Sequence, residues 1–83
     1  QPAAPIHVLV IPKKHIASAM AVTAEDAALL AHLHATIPHI ARLAGIPESG
    51  MRLVSNVGAD GQQSVPHLHY HILGGRSFTW PPG

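Results

Sequence analysis

The segment His67-Leu68-His69-Tyr70-His71-Ile72-Leu73 alternates imidazole and apolar side chains almost to its end. Alternate side chains share one face only when the backbone is extended, because a strand repeats every second residue and a helix does not. The segment therefore reads as a strand that begins at Ser64 or Val65 and is stopped by Gly74-Gly75. It commits Leu68, Tyr70 and Ile72 to a core and gathers His67, His69 and His71 on the opposite face. An apolar sheet face must be covered by another layer, and the rest of the chain has to supply it.

Two further segments read as strands. Ile6 to Ile11 is β-branched, closed by Pro12, and apolar enough to suggest burial on both faces; Met51 to Asn56 is the other. Between them lies one long helix. Thr23 is its expected N-cap, Asp26 stands at the third position of a capping box, and Glu25 and Asp26 suit the positive end of the helix dipole. Leu30, Leu33, Ile37, Ile40 or Ala41, and Ala44 recur at the spacing of a single buried helix face. Gly45 is the expected terminator, and Pro38 predicts a kink because it lacks an N–H and crowds the preceding turn. The tail Trp80-Pro81-Pro82-Gly83 is short and irregular. The order strand, helix, strand, strand predicts an α+β domain with the helix packed on the sheet.

Eighty-three residues allow one domain, spanning 1–83. A net charge of +1 provides no electrostatic footprint for nucleic acid and no polybasic membrane patch. No cysteine is present, which excludes disulfides, thiolate nucleophiles and cysteine zinc sites. No apolar run is long enough to span a bilayer and no signal segment opens the chain, so a cytoplasmic location is expected.

The aligned histidines admit several readings. They can be solvated side chains on an open strand face. They can hold zinc, although imidazoles at the two ends of the triplet stand about 13 Å apart along an extended strand, and no other ligand cluster lies nearby in sequence. They can also be chemical groups, since imidazole is a nucleophile and a proton carrier near neutral pH.

The block Gln63-Ser64-Val65-Pro66-His67-Leu68-His69-Tyr70-His71-Ile72-Leu73-Gly74-Gly75-Arg76 resembles the signature of the histidine triad (HIT) superfamily. Its Gln-Ser lead and Gly-Gly-Arg end look like the Hint branch. Pro5 to Ile16, Asn56 to Gly61 and the Trp80-Pro81-Pro82-Gly83 ending extend the likeness over nearly the whole chain. The resemblance implies a HIT-like antiparallel sheet with one long helix, and a purine nucleoside phosphoramidase-like hydrolase. His69 would attack the α-phosphorus of a nucleoside 5′-phosphoramidate or acyl-nucleotide, and water would release the nucleotidyl-histidine. The other ring nitrogen of His69 should be held by a backbone carbonyl. His71 and Ser64 match positions that contact phosphate oxygens or the leaving group; His67 and His7 match groups that orient the cluster or carry protons. Substrate contacts fall on Asn56, Gln62, Gln63, Ser64, His69, His71 and, from a partner subunit, Trp80. Gln62 stands where the family usually has glycine. No metal or other cofactor is implied. The expected partners are a purine nucleotide such as an AMP derivative and a second copy of the chain, with neither nucleic acid nor membrane.

The resemblance also implies an upstream strand hairpin with an Asp-Ile pair gripping the nucleoside, so the chain reads as N-terminally incomplete. His15 reads as a surface or packing residue, His32, His34 and His39 as exposed or interfacial, and Arg76 as a tail anchor or a substrate contact. Three rival functions stay open: a non-catalytic nucleotide- or partner-binding module, a dinucleoside polyphosphate hydrolase, and a zinc-dependent hydrolase.

Overall fold

The computed structural model describes residues 4–83. Strand β1 spans Ile6–Val10, helix α1 Ala27–Leu43, β2 Met51–Val54 and β3 Tyr70–Gly74, with short 3-10 turns at Ala19–Ala21 and Ala24–Asp26. The strands form one antiparallel sheet in the order β1-β3-β2, placing the histidine-bearing strand in the centre. The domain is thus α+β, with a long helix on an antiparallel sheet.

The core forms where the α1 stripe meets the apolar face of β3. Leu33 and Ile37 pack on Ile72, which is fully buried, with Val8, Val10, Ile40, Ile46 and Tyr70 around them. Directly opposed residues of an antiparallel pair share a face. Val8 opposes Ile72 and Leu9 opposes His71, so β1 sends Val8 to the core and Leu9 to the histidine side. This corrects the expectation that β1 is buried on both faces. Only one face meets the helix, while His7, Leu9 and Ile11 are exposed on or just beyond the other.

Helix α1 begins later than its cap. Thr23 caps a 3-10 turn whose Asp26 carboxylate accepts the Thr23 N–H at 3.0 Å, completing the expected capping box before the α-helix starts at Ala27. The Asp26 carboxylate also receives the Lys14 ammonium, tying the segment after β1 to the helix start. α1 continues through Pro38 as far as Leu43. At its end Gly45 has φ +83°, its N–H donates to the Arg42 carbonyl, and the Ile46 N–H donates to that of Ala41. This pairing is a Schellman motif, and it delivers Ile46 to the core.

Strand β3 is shorter than the alternation predicts. Pro12, two residues past β1, has no N–H to offer, and Pro66 removes another from the β3 side. Regular pairing starts only at Tyr70, which opposes Val10. Leu68, itself buried, instead donates its N–H to the Ile16 carbonyl at 2.6 Å, and the His67 N–H turns back to the Val65 carbonyl at 2.8 Å. Likewise β2 ends at Val54 rather than Asn56. Among the described residues, no helix is long and apolar enough to cross a membrane.

Candidate active site

The imidazoles form a connected group on the face of the sheet that α1 leaves open. His71 opposes Leu9, and His7, one step diagonal on β1, brings its Nε2 within 2.7 Å of His71 Nδ1. The His69 and His71 ring centroids are 5.1 Å apart, and those of His7 and His71 5.0 Å. His67 and His69 line one cavity of about 290 Å³ whose other walls are the apolar side chains of Leu9, Ile11 and Val65.

Hydrogen-bond partners fix two of the tautomers. A carbonyl oxygen only accepts, so a ring nitrogen facing one must carry the proton. His69 Nδ1 lies 2.8 Å from the His67 carbonyl and therefore donates. In neutral His69 the proton is on Nδ1 and the lone pair is on Nε2. The acceptor is a backbone carbonyl, as expected for this ring. His67 Nε2 donates to the Pro12 carbonyl at 3.0 Å, leaving its Nδ1 as an acceptor. The short His7–His71 contact needs one proton between the two facing nitrogens, since two N–H groups would repel. Burial first, then the neighbouring His7 and His69, holds the His71 imidazole below its ordinary value, favouring the neutral ring.

The remaining expected residues fall around this group in different ways. Gln63 is a staple: its Oε1 accepts the Gly58 N–H at 2.9 Å, and its Nε2 donates to the Ala17 and Val65 carbonyls at 2.8 and 2.9 Å. The Gln62 N–H donates to the Ala59 carbonyl and the Gln63 N–H to that of Gly58, so these amides are committed within the loop. Gly61 lets that loop close, because a Cβ there would stand 2.4 Å from the Val57 carbonyl oxygen. Gln62 holds φ +63°, the left-handed region that glycine occupies without strain. Ser64 is exposed beside Gly58, Ser18 and Ala17 in an adjoining depression of about 390 Å³, separate from the cavity of His67 and His69. Asn56 is half-buried beyond the end of β2, and Trp80 is 81% exposed in the tail. His32, His34 and His39 are exposed on α1, with His34 edge-on to Tyr70. Among the described residues, no group of His, Asp and Glu side chains converges as a metal site would need.

Two participants escaped the sequence reading. Ser55 Oγ donates to the His69 carbonyl at 2.9 Å, pinning the main chain of the central histidine. His15, read as a surface or packing residue, sets its Nδ1 3.1 Å from His67 Nδ1. Nothing in local spacing announces either contact, since each joins segments far apart in the chain.

Comparison with known proteins places this arrangement in a family. The HIT domain family model matches residues 1–78. An uncharacterised HIT-like protein of Synechococcus elongatus is 55% identical over 82 residues, covering 99% of this chain and 71% of that protein. One from a Synechocystis species is 54% identical over the same shares. Among solved structures, a HIT family hydrolase of Legionella pneumophila superposes with a TM-score of 0.92 at 50% identity, covering 99% of this chain and 73% of its own. A histidine triad protein of Clostridium difficile superposes with a TM-score of 0.85 at 42% identity, covering 95% and 69%. Sequence, fold and histidine cluster agree: the chain belongs to the HIT domain family.

Proposed function

We propose that this chain carries the catalytic centre of a nucleotide hydrolase that cleaves nucleoside 5′-phosphoramidates, and related acyl-nucleotides, through a nucleotidyl-histidine on His69. The observation that carries this reading is the His69 Nδ1–H donated to the His67 carbonyl, because it leaves the Nε2 lone pair as the free nucleophile beside a cavity. The name of the Legionella relative as a hydrolase supports the reaction class.

In the first step, Nε2 of His69 bonds to the α-phosphorus as the bond from phosphorus to the leaving nitrogen breaks. The amine departs with a proton drawn from solvent and relayed through the His7–His71 pair, which passes on its shared proton as it takes up another and stays neutral. Water then attacks the same phosphorus, the phosphorus–Nε2 bond breaks, and the proton from water passes back to solvent through the same pair. Two displacements replace one, which is the advantage of covalent catalysis. Ser64, past the internally bonded loop amides, supplies a hydroxyl to the phosphate or the leaving group, while Asn56 contacts the nucleotide. Gln62 and Gln63 shape the loop beside it. The apolar walls at Leu9, Ile11 and Val65 suit a purine nucleoside. The protein acts as a homodimer, with Trp80 reaching the partner's site.

The test is incubation with an adenosine 5′-phosphoramidate, followed by intact mass and amine release. The wild type is expected to show a transient mass increase of one adenylyl group and to release AMP. His69→Ala and His69→Asn should show neither, with turnover down by at least about 10³-fold, as loss of a nucleophile generally costs. Full turnover in either variant sinks the reading. Binding of AMP by the wild type with no adduct and no turnover would favour a non-catalytic nucleotide-binding module.

A further inference from the structure

We propose that His15 is a positioning residue for the His69 nucleophile, acting through His67; the inference rests on the functional reading above. His67 holds His69 by its main-chain carbonyl, so whatever fixes His67 also fixes the tautomer and aim of the attacking ring. Two contacts grip the His67 side chain. Its Nε2–H donates to the Pro12 carbonyl at 3.0 Å, which leaves Nδ1 bare and able only to accept. The group facing that nitrogen at 3.1 Å is His15 Nδ1, which must therefore donate. The two rings meet edge to face, with centroids 5.0 Å apart and planes at 68°.

The grip matters because His67, Leu68 and His69 lie ahead of the regular ladder, which begins at Tyr70. Ordinary strand pairing does not hold this part of the chain. Its anchors are instead the segment 12–16, through the Pro12 carbonyl, the His15 ring and the Ile16 carbonyl that accepts the Leu68 N–H, together with Ser55 on the His69 carbonyl. His15 is the one side chain of segment 12–16 in that set. It does not line the cavity of His67 and His69, so it acts on their geometry and not on the substrate. Its segment is fixed in turn, since the adjacent Lys14 is bound to Asp26 at the start of α1.

The test uses His15→Phe, which keeps a ring without a donor, and His15→Asn, which restores one N–H, both in the intact protein. A misplaced reacting group costs up to about 100-fold, so His15→Phe is expected to lower kcat by about 10- to 100-fold with little change in KM. His15→Asn should recover most of that loss. Ring-nitrogen NMR supplies a readout independent of turnover: the wild type should show His69 protonated at Nδ1, and His15→Phe should show a mixture of tautomers. His15→Phe with wild-type kcat and an unchanged His69 spectrum overturns the proposal. If the wild type itself neither turns over nor forms an adduct, the functional reading fails. The NMR comparison then still decides the role of His15, a tautomer mixture supporting it and an unchanged spectrum overturning it.

Discussion

A ring nitrogen does chemistry according to what faces it, and in this cluster most of them face something specific. The spacing of His67, His69 and His71 was legible because period-two alternation is a property of the backbone alone. Which nitrogen carries which proton was not, because it depends on the Pro12 and His67 carbonyls and on His7 and His15, contributed by distant segments or by main chain that every residue shares. His71 gives this a measurable consequence. Its depressed proton affinity means that, below an ordinary imidazole value of about 6.5, the unfolded chain binds a proton that the folded chain refuses. Its contribution to stability is therefore complete above that pH and declines as the pH falls toward the depressed value. Thermal unfolding followed from pH 7.5 downward should show a lower Tm in acid and a shallower decline in His71→Asn; identical slopes would contradict it. Gln62 is the other residue-scale case. Its φ of +63° costs a residue with a Cβ roughly 1–2 kcal/mol, against about 0.4–1 kcal/mol that glycine adds in unfolded-chain entropy. Gln62→Gly should accordingly stabilise the protein by about 0.5–1 kcal/mol in denaturant melts, and destabilisation would show that the side chain has contacts outweighing the strain.

Element identities were legible and element edges less so, for one physical reason. Hydrophobic period and capping chemistry are local, so the α1 stripe, its capping box and its Gly45 terminator could be read from the chain, and the structure has them at Leu33, Ile37 and Ala41, at Thr23 with Asp26, and at Gly45 with Ile46. Strand ends depend on what the neighbouring strand offers, and Pro12 and Pro66 offer no N–H where the alternation would have continued the ladder. The unpaired stretch is held by cross-links that can be removed singly. Ser55→Ala frees the His69 carbonyl and should lower kcat several-fold; an unaltered kcat would show that the main chain is held without it. Asp26 joins Lys14, Thr23 and the start of α1, and the Lys14 hydrogen bond, followed by the Thr23 N–H, holds its carboxyl below the usual range. A depressed carboxyl stabilises the fold above its unfolded value of about 3.9 and loses that contribution as the pH falls through the folded one. Asp26→Asn should thus lower Tm at pH 7, with the difference from wild type shrinking below about pH 4. A constant difference across that range would assign the loss to packing instead of charge.

At the scale of the molecule, the helix covers less of the sheet than the sheet presents. α1 packs over Val8, Val10, Tyr70 and Ile72, but on β2 Met51 is 38% and Leu53 36% exposed, although both share the face that α1 covers elsewhere. Met51 borders a groove shared with Pro38, Ala41 and Arg42 of α1, so helix and strand edge form one continuous margin, apolar but for Arg42 and Glu48. β2 is also the last strand of the order β1-β3-β2, and an exposed strand edge with apolar neighbours invites pairing with another chain. A two-fold pairing along this margin would cover both defects with the same surface on each copy. The tail meets the same edge strand on its other face: Arg52 Nη2 donates to the Thr79 carbonyl and its guanidinium lies 5.1 Å from the centre of the Phe78 ring, just before the exposed Trp80. A second copy seated on β2 would therefore bring Trp80 close to the joint between them, where it can reach a partner's site. A dimer joined along this margin is expected to become a monomer with Leu53→Glu, by sedimentation at micromolar concentration, because each copy would bring a carboxylate that must lose its water in the joint. Trp80→Ala should leave the dimer intact and reduce turnover about 10-fold. Mixing Trp80→Ala with His69→Ala chains then separates action within a chain from action across the joint. A tail that crosses it restores one complete site in each heterodimer, whereas a tail serving its own chain leaves the mixture no more active than its components.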